Sequence, residues 1–343
     1  MPSKTVNRRD VVRLGVTAGT LAITAEAAAA ARSGPATSGM RRDHPLEFRL
    51  GSDFQPDLSR NAARGLTDAV LEFLLDSHPP GMTLSHWDLN PRDMPFLQGH
   101  IGKIVTHVFD GIRDNRELHP VDPVLVLSLL YNESRFAPTV VSPAGAVGMA
   151  QFMPDTALEY GLEPLGRHYL WERFRDLQRA RREAVTKRIE AFKSRFGVAG
   201  FDARAVIDRA VATGDLEILR EFVAINVPDE EVEAARRAYT AALQQDFASH
   251  DFFAGGAAAL QATDARVGYG AIGKCVTYLA RRLRENDGMV TSAVAAYNAG
   301  PEAVRVRNPQ SVLYRFGEMP ALAETVRYVQ RILAVYSDIR DRL

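Results

Sequence analysis

Residues 131–154 read YNESRFAPTVVSPAGAVGMAQFMP. Glu133 closes an almost wholly apolar run, HPVDPVLVLSLLYNES, residues 119–134. After Arg135 no further charge appears before Asp155; the stretch between is rich in small residues, prolines and glycines. Asp122 can cap a helix whose first position is Pro123. That helix is apolar nearly all round, so it is expected to be central and buried. It delivers Glu133 at its C-terminal end and runs out at Pro138. Apolar surroundings and the negative end of a helix both disfavour the charged carboxylate, so both push its pKa upward. A carboxylic acid still protonated near neutrality can donate its proton to a leaving oxygen. On these residues alone, the pattern equally fits a glutamate exposed at a fraying helix end.

Working outward, the neighbouring segments are helical in pattern. RNAARGLTDAVLEFLLDS, residues 60–77, places Leu66, Val70, Phe73 and Leu74 on one face, and HPPG stops it. Over 99–116 the apolar positions Ile101, Ile104, Val105, Val108, Phe109 and Ile112 form an amphipathic stripe. Residues 163–250 are charged and read as several more helices, with few Gly or Pro inside each. Their basic residues read as solvated helix faces, with a surface for an acidic polymer as the sharper alternative. Strand-like alternation is scarce, so the class is mainly α.

Composition narrows the function. The 343 residues carry 42 basic and 42 acidic side chains, so charge supplies no case for nucleic acid. With 46% hydrophobic residues, the chain can bury a sizeable core. The single cysteine, Cys275, excludes an internal disulfide and reads as a small buried apolar residue. No stretch offers the roughly 18 uninterrupted apolar residues of a transmembrane helix. Arg8 and Arg9 precede a weakly apolar stretch, Leu14 to Ala25, and small residues through Ala31. That layout is an export signal over 1–31, similar to the twin-arginine type, with transient use of that export machinery and a periplasmic destination. No cysteine near the cleavage region would take a lipid anchor. Residues 32–59, rich in Ser, Gly, Pro and charge, read as a linker.

Three later or flanking stretches join the first. Gly145 and Gly148, among several alanines, are expected to let a polymer lie close to the backbone. TSAVAAYNAGPEAVRV, residues 291–306, supplies Tyr297 and Asn298, and MPALAETVRYVQRIL, residues 319–333, supplies Glu324, Thr325 and Tyr328. Together these resemble the soluble lytic transglycosylase family, lysozyme-like enzymes that cleave peptidoglycan strands. NESRFAPTVVSPAGAVGMAQFMPDTA resembles the family's ES motif and the G-L-M-Q segment behind it. AAYNAGP and PALAETVRYVQRIL resemble its later motifs, the last of them P-x-x-E-T-x-x-Y-V. TDARVGYGAIGKCVTYLARRL resembles the helix between, where D-P-R and Y-L recur. The likeness covers about 120–162 and 262–340. The chain departs from the pattern at Met149-Ala150-Gln151, where the family has Leu-Met-Gln, and at Ala321, where it often has Phe.

The resemblance implies a lysozyme-like transglycosylase domain over 116–343, within which the helical stretch 163–250 is an insertion unusual for the compact fold; the helical pattern over 60–115 makes an N-terminal region that resembles no family. The resemblance also implies a carbon–oxygen lyase that cleaves the bond between N-acetylmuramic acid and N-acetylglucosamine and leaves a 1,6-anhydro end. Two-carboxylate glycosidases need a second acid. Asp155 reads instead as a helix N-terminal residue and Glu159 as exposed, so no convincing nucleophile emerges. The family's substrate brings its own nucleophiles, the 2-acetamido group and then the 6-hydroxyl, with Glu133 as acid and then base. Ser142 would hydrogen-bond near the acid or the acetamido group. Gln151 and Asn298 would bind sugar polar groups, and Met149 would line the groove. Tyr297 would orient the acetamido group or the acid, and Glu324 would hold the site in shape. No cofactor or metal is implied: His86, His100, His107 and His119 lack an H-E-x-x-H spacing and read as structural or surface residues. Peptidoglycan strands are the expected partner, with an envelope protein at the insertion as a further one. A hydrolytic muramidase of the same fold and a non-catalytic glycan-binding module are the competing readings.

Overall fold

The apolar run ending at Glu133 becomes the helix around which the larger part of the described chain is assembled. The structure, a computed structural model, describes residues 49–164, 168–248, 252–253, 264–301, 304 and 323–343. The export signal expected at 1–31 and the family's Pro320-Ala321 lie outside these residues. Among the described residues no β-strand forms, only isolated bridges such as Val141 with Val147 and Val147 with Phe152. The class is therefore all-α, as the helical periodicities require.

The described residues fall into two units. One comprises Tyr169–Ala238; the other takes in the described parts of His44–His168 and Tyr239–Leu343. In the larger unit, α1 is Arg60–Ser77, α2 is Leu97–Asp114, α3 is Pro123–Ser134 and α4 is Pro154–Glu159. Ser59 caps α1 by accepting the Ala62 N–H, and Asp122 caps α3 by accepting that of Val124. Every residue from Pro123 to Tyr131 is buried, so α3 has no solvent face over most of its length. In α2 the stripe from Ile101 to Ile112 is buried as its spacing demands, and His100 joins it at 2% exposure.

The smaller unit is built from α5 (His168–Phe196), α6 (Ala203–Thr213), α7 (Glu217–Asn226) and the first part of α8 (Glu230–Ala248). Phe192, Val206, Ala210, Ile218 and Ile225 form its apolar centre, with Phe201 and Phe222 packed against it. Asp202 caps α6, and Gly214 in the left-handed conformation ends it.

Back in the larger unit, α9 (Gly270–Glu285), α10 (Val290–Ala299) and α11 (Ala323–Arg340) complete the packing. Helix α3 packs chiefly against α11 and also touches α2 and α9; α10 lies against α9 and α11. Thus two of the later sequence blocks, on α9 and α11, meet the helix that carries Glu133, and the third, on α10, packs against both of them. The far end of α3 is tied to α11 as well: Tyr336 donates to Asp122 Oδ2 at 2.8 Å. Within the stretch expected as a linker, Leu50 is buried and its N–H donates to the Gly288 carbonyl at 2.9 Å. That part of 32–59 is packed chain rather than a free tether. Among the described residues no helix is long and apolar enough to cross a membrane.

Candidate functional site

Glu133 is the next-to-last residue of α3. The residue as a whole keeps partial exposure. Burial raises its pKa from the ordinary 4.5 to about 7, opposed by the Tyr328 hydroxyl and by Arg331 and Arg135. Desolvation outweighs the hydrogen bond and both cations. Tyr328, buried on α11, donates its hydroxyl to Glu133 Oε1. Its own pKa is pushed well above the usual phenol value by burial and by the neighbouring carboxyl, so it remains a donor. Among the described residues, the groups that shift Glu133 are the Tyr328 hydroxyl and the two arginines, none of them a carboxylate.

The segment behind the acid is clamped rather than loose. Ser134 is fully buried and its hydroxyl reaches both the Leu130 and the Met149 carbonyl at 3.1 Å. It ties the end of α3 to the 142–152 loop. In that loop the Ser142 hydroxyl accepts the Ala146 N–H at 3.0 Å, and Ser142 keeps partial exposure. Gln151 sits at φ 50° and donates its side-chain amide to the Val140 and Gly148 carbonyls, at 3.1 and 2.8 Å. Its donor half therefore braces the loop.

Two expectations for this loop need correction. Met149, expected on the groove wall, is fully buried in the core, because the loop turns its side chain inward behind Glu133. The small residues do not leave open backbone for a polymer: Gly145 to Ala150 are all buried. Gly148 has φ +80°, and a Cβ there would lie 2.2 Å from the Arg266 carbonyl oxygen. Gly145 has φ +93°, and a Cβ there would meet the Tyr239 ring at 2.8 Å. These glycines are demanded by the protein's own packing.

Beside them, Arg266 also forms a buried ion pair. Arg266 and Asp264 side chains are 0% and 2% exposed and meet at 2.8 Å. Arg266 also donates to the Gly145 and Phe152 carbonyls, at 3.3 and 3.2 Å, and to the Tyr239 hydroxyl at 3.1 Å. One guanidinium thus fastens both ends of the loop. Paired in this way, the charge is tolerated in the interior, whereas an orphaned partner would not be.

From α10, half-buried Tyr297 donates to the Ala150 carbonyl at 2.9 Å, its hydroxyl 3.5 Å from Cys275 Sγ. Burial and then the nearby Cys275 and Glu133 hold that phenol protonated. Asn298 is exposed, and its Oδ1 accepts the hydroxyl of buried Thr325 at 3.1 Å. Glu324 lies exposed in the first turn of α11. Thr325 and Tyr328, three residues apart on one face, make that helix's contacts to Asn298 and Glu133. Asp155 and Glu159 are exposed on α4, and Glu159 faces Arg281 at 3.8 Å. Among the described residues no group of three His, Cys, Asp or Glu is placed to hold a metal ion.

The structure therefore brings Glu133, Tyr328 and the backbone of 149–150 to one place, with Tyr297 and Asn298 beside them. Sequence reasoning gave roles to Glu133, Tyr297 and Asn298, noted Thr325 and Tyr328 without giving them one, and passed over Ser134 and the Asp264–Arg266 pair. The signal for Tyr328 was its spacing of three from Thr325; that for the pair was the D-A-R triplet.

Residues 112–174 match the family model described as the transglycosylase SLT domain. This match spans α3, Glu133 and the 142–152 loop, and it accords with the soluble lytic transglycosylases and their lysozyme-like all-α fold. It points to transglycosylase chemistry on peptidoglycan. No curated protein and no solved structure matches the chain.

Proposed function

We propose that this chain, which carries an SLT transglycosylase domain, is a lytic transglycosylase in which Glu133 serves as the single general acid and base. The observation that supports it is one carboxyl at the end of a buried helix, with a pKa of about 7 and, among the described residues, no carboxylate among the groups that shift it. Such a group is protonated often enough at neutral pH to give a proton, and ionised often enough to take one back.

In the first step the Glu133 carboxylic acid gives its proton to the glycosidic oxygen. The bond from that oxygen to the anomeric carbon of N-acetylmuramic acid breaks, and the sugar's own acetamido oxygen bonds to the carbon. In the second step the 6-hydroxyl oxygen attacks the same carbon and displaces the acetamido oxygen. The hydroxyl proton passes to the Glu133 carboxylate, which restores the acid. The product is the 1,6-anhydro sugar and no water is consumed. Both nucleophiles are intramolecular, which supplies an orientation advantage that the protein need not provide. Tyr328 donates to Glu133 Oε1, which leaves the other carboxyl oxygen to face the substrate.

Around this centre, the exposed Asn298 amide and the Gln151 carbonyl oxygen are proposed to bind sugar polar groups, with Ser142 near the acetamido group. Tyr297 and Glu324 are proposed to keep the acid and the site in shape. Residues 1–31 are proposed to direct export to the periplasm through the twin-arginine route, and the 163–250 insertion to meet an envelope protein.

The test is digestion of purified peptidoglycan by the wild type and by Glu133→Gln, followed by mass spectrometry of the muropeptides. Anhydro ends from the wild type alone are expected. Reducing ends, heavier by one water, would reassign the chain as a hydrolytic muramidase. No cleavage by the wild type would leave a glycan-binding module.

A further inference from the structure

We propose that Trp87 and His100 are positioning residues, holding Glu133 in place through the two backbone carbonyls of the left-handed turn directly behind it. The inference rests on Glu133 being the acid proposed above. It assigns a role in the active site to the region before residue 115, which carries none of the sequence blocks that suggested the function.

The turn is unusual. Arg135 has φ 55° and Phe136 has φ 62°, and neither is glycine. An L-residue in this conformation crowds its Cβ against the following carbonyl oxygen. Two in succession persist only where the surroundings over-determine them. The helix end also needs partners for its last carbonyls. The Arg135 N–H takes the Tyr131 carbonyl at 2.9 Å, and the Ala137 N–H takes that of Ser134 at 3.0 Å. The carbonyls of the two strained residues themselves are met by side chains. Trp87 Nε1–H donates to Arg135 O at 2.9 Å, and His100 Nε2 lies 2.8 Å from Phe136 O.

A carbonyl only accepts, so Nε2 of His100 must carry the hydrogen. Nδ1 is then free to accept from the Tyr269 hydroxyl, 2.8 Å away. Burial lowers the His100 pKa to about 4, so this neutral tautomer persists at neutral pH. The result is a short chain, Tyr269 hydroxyl to His100 to the Phe136 carbonyl.

Both donors are themselves fixed. His100 lies on the buried face of α2. Trp87 stands between His86 at φ 72° and Asp88 at φ 52°, in a turn closed by Leu84 N–H to Leu89 O at 2.8 Å. Its ring packs against Phe96 at 5.5 Å and lies 5.7 Å from the His100 ring. Two strained turns thus face each other, joined by an indole N–H. Apolar side chains would fill this space equally well; two N–H groups aimed at consecutive carbonyls instead fix a backbone. That backbone begins two residues after Glu133, and misplacing a catalytic group by about 1 Å can cost a hundredfold in rate.

Steady-state kinetics on peptidoglycan, with kcat and KM separated in the full chain, test this. Trp87→Phe and His100→Leu are expected to lower kcat by roughly tenfold to a hundredfold, with KM nearly unchanged. His100→Gln, whose amide N–H can still reach Phe136 O, should recover most of the loss. Tyr269→Phe, which removes one hydroxyl and is the mildest change, should lower kcat by a smaller factor and carries the test if a harsher variant does not fold. In parallel, the Glu133 carboxyl is titrated by carbon NMR in the wild type and in Trp87→Phe, where its pKa is expected to fall toward the free value as the turn admits water. Unchanged kcat and unchanged Glu133 titration, with only a lower melting temperature, would overturn the inference. Should the wild type not cleave peptidoglycan at all, the reaction assignment fails, and the titration alone decides whether Trp87 positions Glu133.

Discussion

Replacing Glu133 with Gln should abolish a pH dependence of folding that an exposed carboxylate would never produce. In the fold the carboxyl is carried from the ordinary 4.5 to about 7. At about 1.36 kcal/mol per pH unit, the folded protein then holds this proton more tightly than the unfolded chain by about 3 kcal/mol. Between pH 4.5 and 7 the folded state binds the proton that the unfolded state has released. Stability must therefore fall as pH rises through this window and level off above it. Below 4.5 both states are protonated and the effect vanishes. Glu133→Gln has the shape of the protonated acid, keeps an acceptor for Tyr328 and has no proton to lose. Partial exposure of the residue lets some water relieve the charge, so 3 kcal/mol is the upper end. The assay is urea unfolding of both proteins at several pH values from 4 to 9. The variant should gain on the wild type by about 2–3 kcal/mol across the window, all other ionisable groups being common to both. A difference that stays constant with pH, or shrinks as pH rises, would refute a desolvated Glu133.

Other outcomes follow from the same geometry. Tyr328→Phe removes the hydroxyl that favours the ionised carboxyl, so the alkaline limb of the pH–rate profile should move upward from near 7 while kcat falls. Asp264→Asn leaves Arg266 buried without its counter-charge and should cost about 3–5 kcal/mol in urea unfolding. Gly148→Ala drives a Cβ into the Arg266 carbonyl at 2.2 Å and should destabilise by about 2 kcal/mol or more, read from the melting temperature. Ser134→Ala strands part of the hydrogen bonding to Met149 O and should lower stability by about 1–3 kcal/mol, with a loss of kcat measured on peptidoglycan.

Helical class was legible because its signals are local. The α2 stripe, the Asp122 cap with Pro123 behind it, and the uniformly apolar α3 each need only a few neighbouring residues to declare themselves. Glu133 was legible for the same reason, being the one acid at the end of a buried helix. Glu324 and Tyr328 show the limit. Both stand in one motif of α11, four residues apart and so on one helical face, yet Glu324 is exposed and Tyr328 buried, and only the packing of α11 on α3 decides where along that face burial begins. Met149 erred in the same way: a loop residue has no periodicity, so nothing in its neighbours says that its side chain is fully buried.

By itself, then, the chain's sequence determined the all-α class, the central helix and the presence of an acid at that helix's C-terminal end, since these depend on composition and spacing along a few turns. Tertiary structure alone decided that Tyr328 meets Glu133 across 195 residues of chain, that Arg266 staples the 142–152 loop, and that Trp87 and His100 reach the turn behind the acid. Each of these is an encounter between segments distant in sequence, set by how helix faces pack, and no local pattern encodes it.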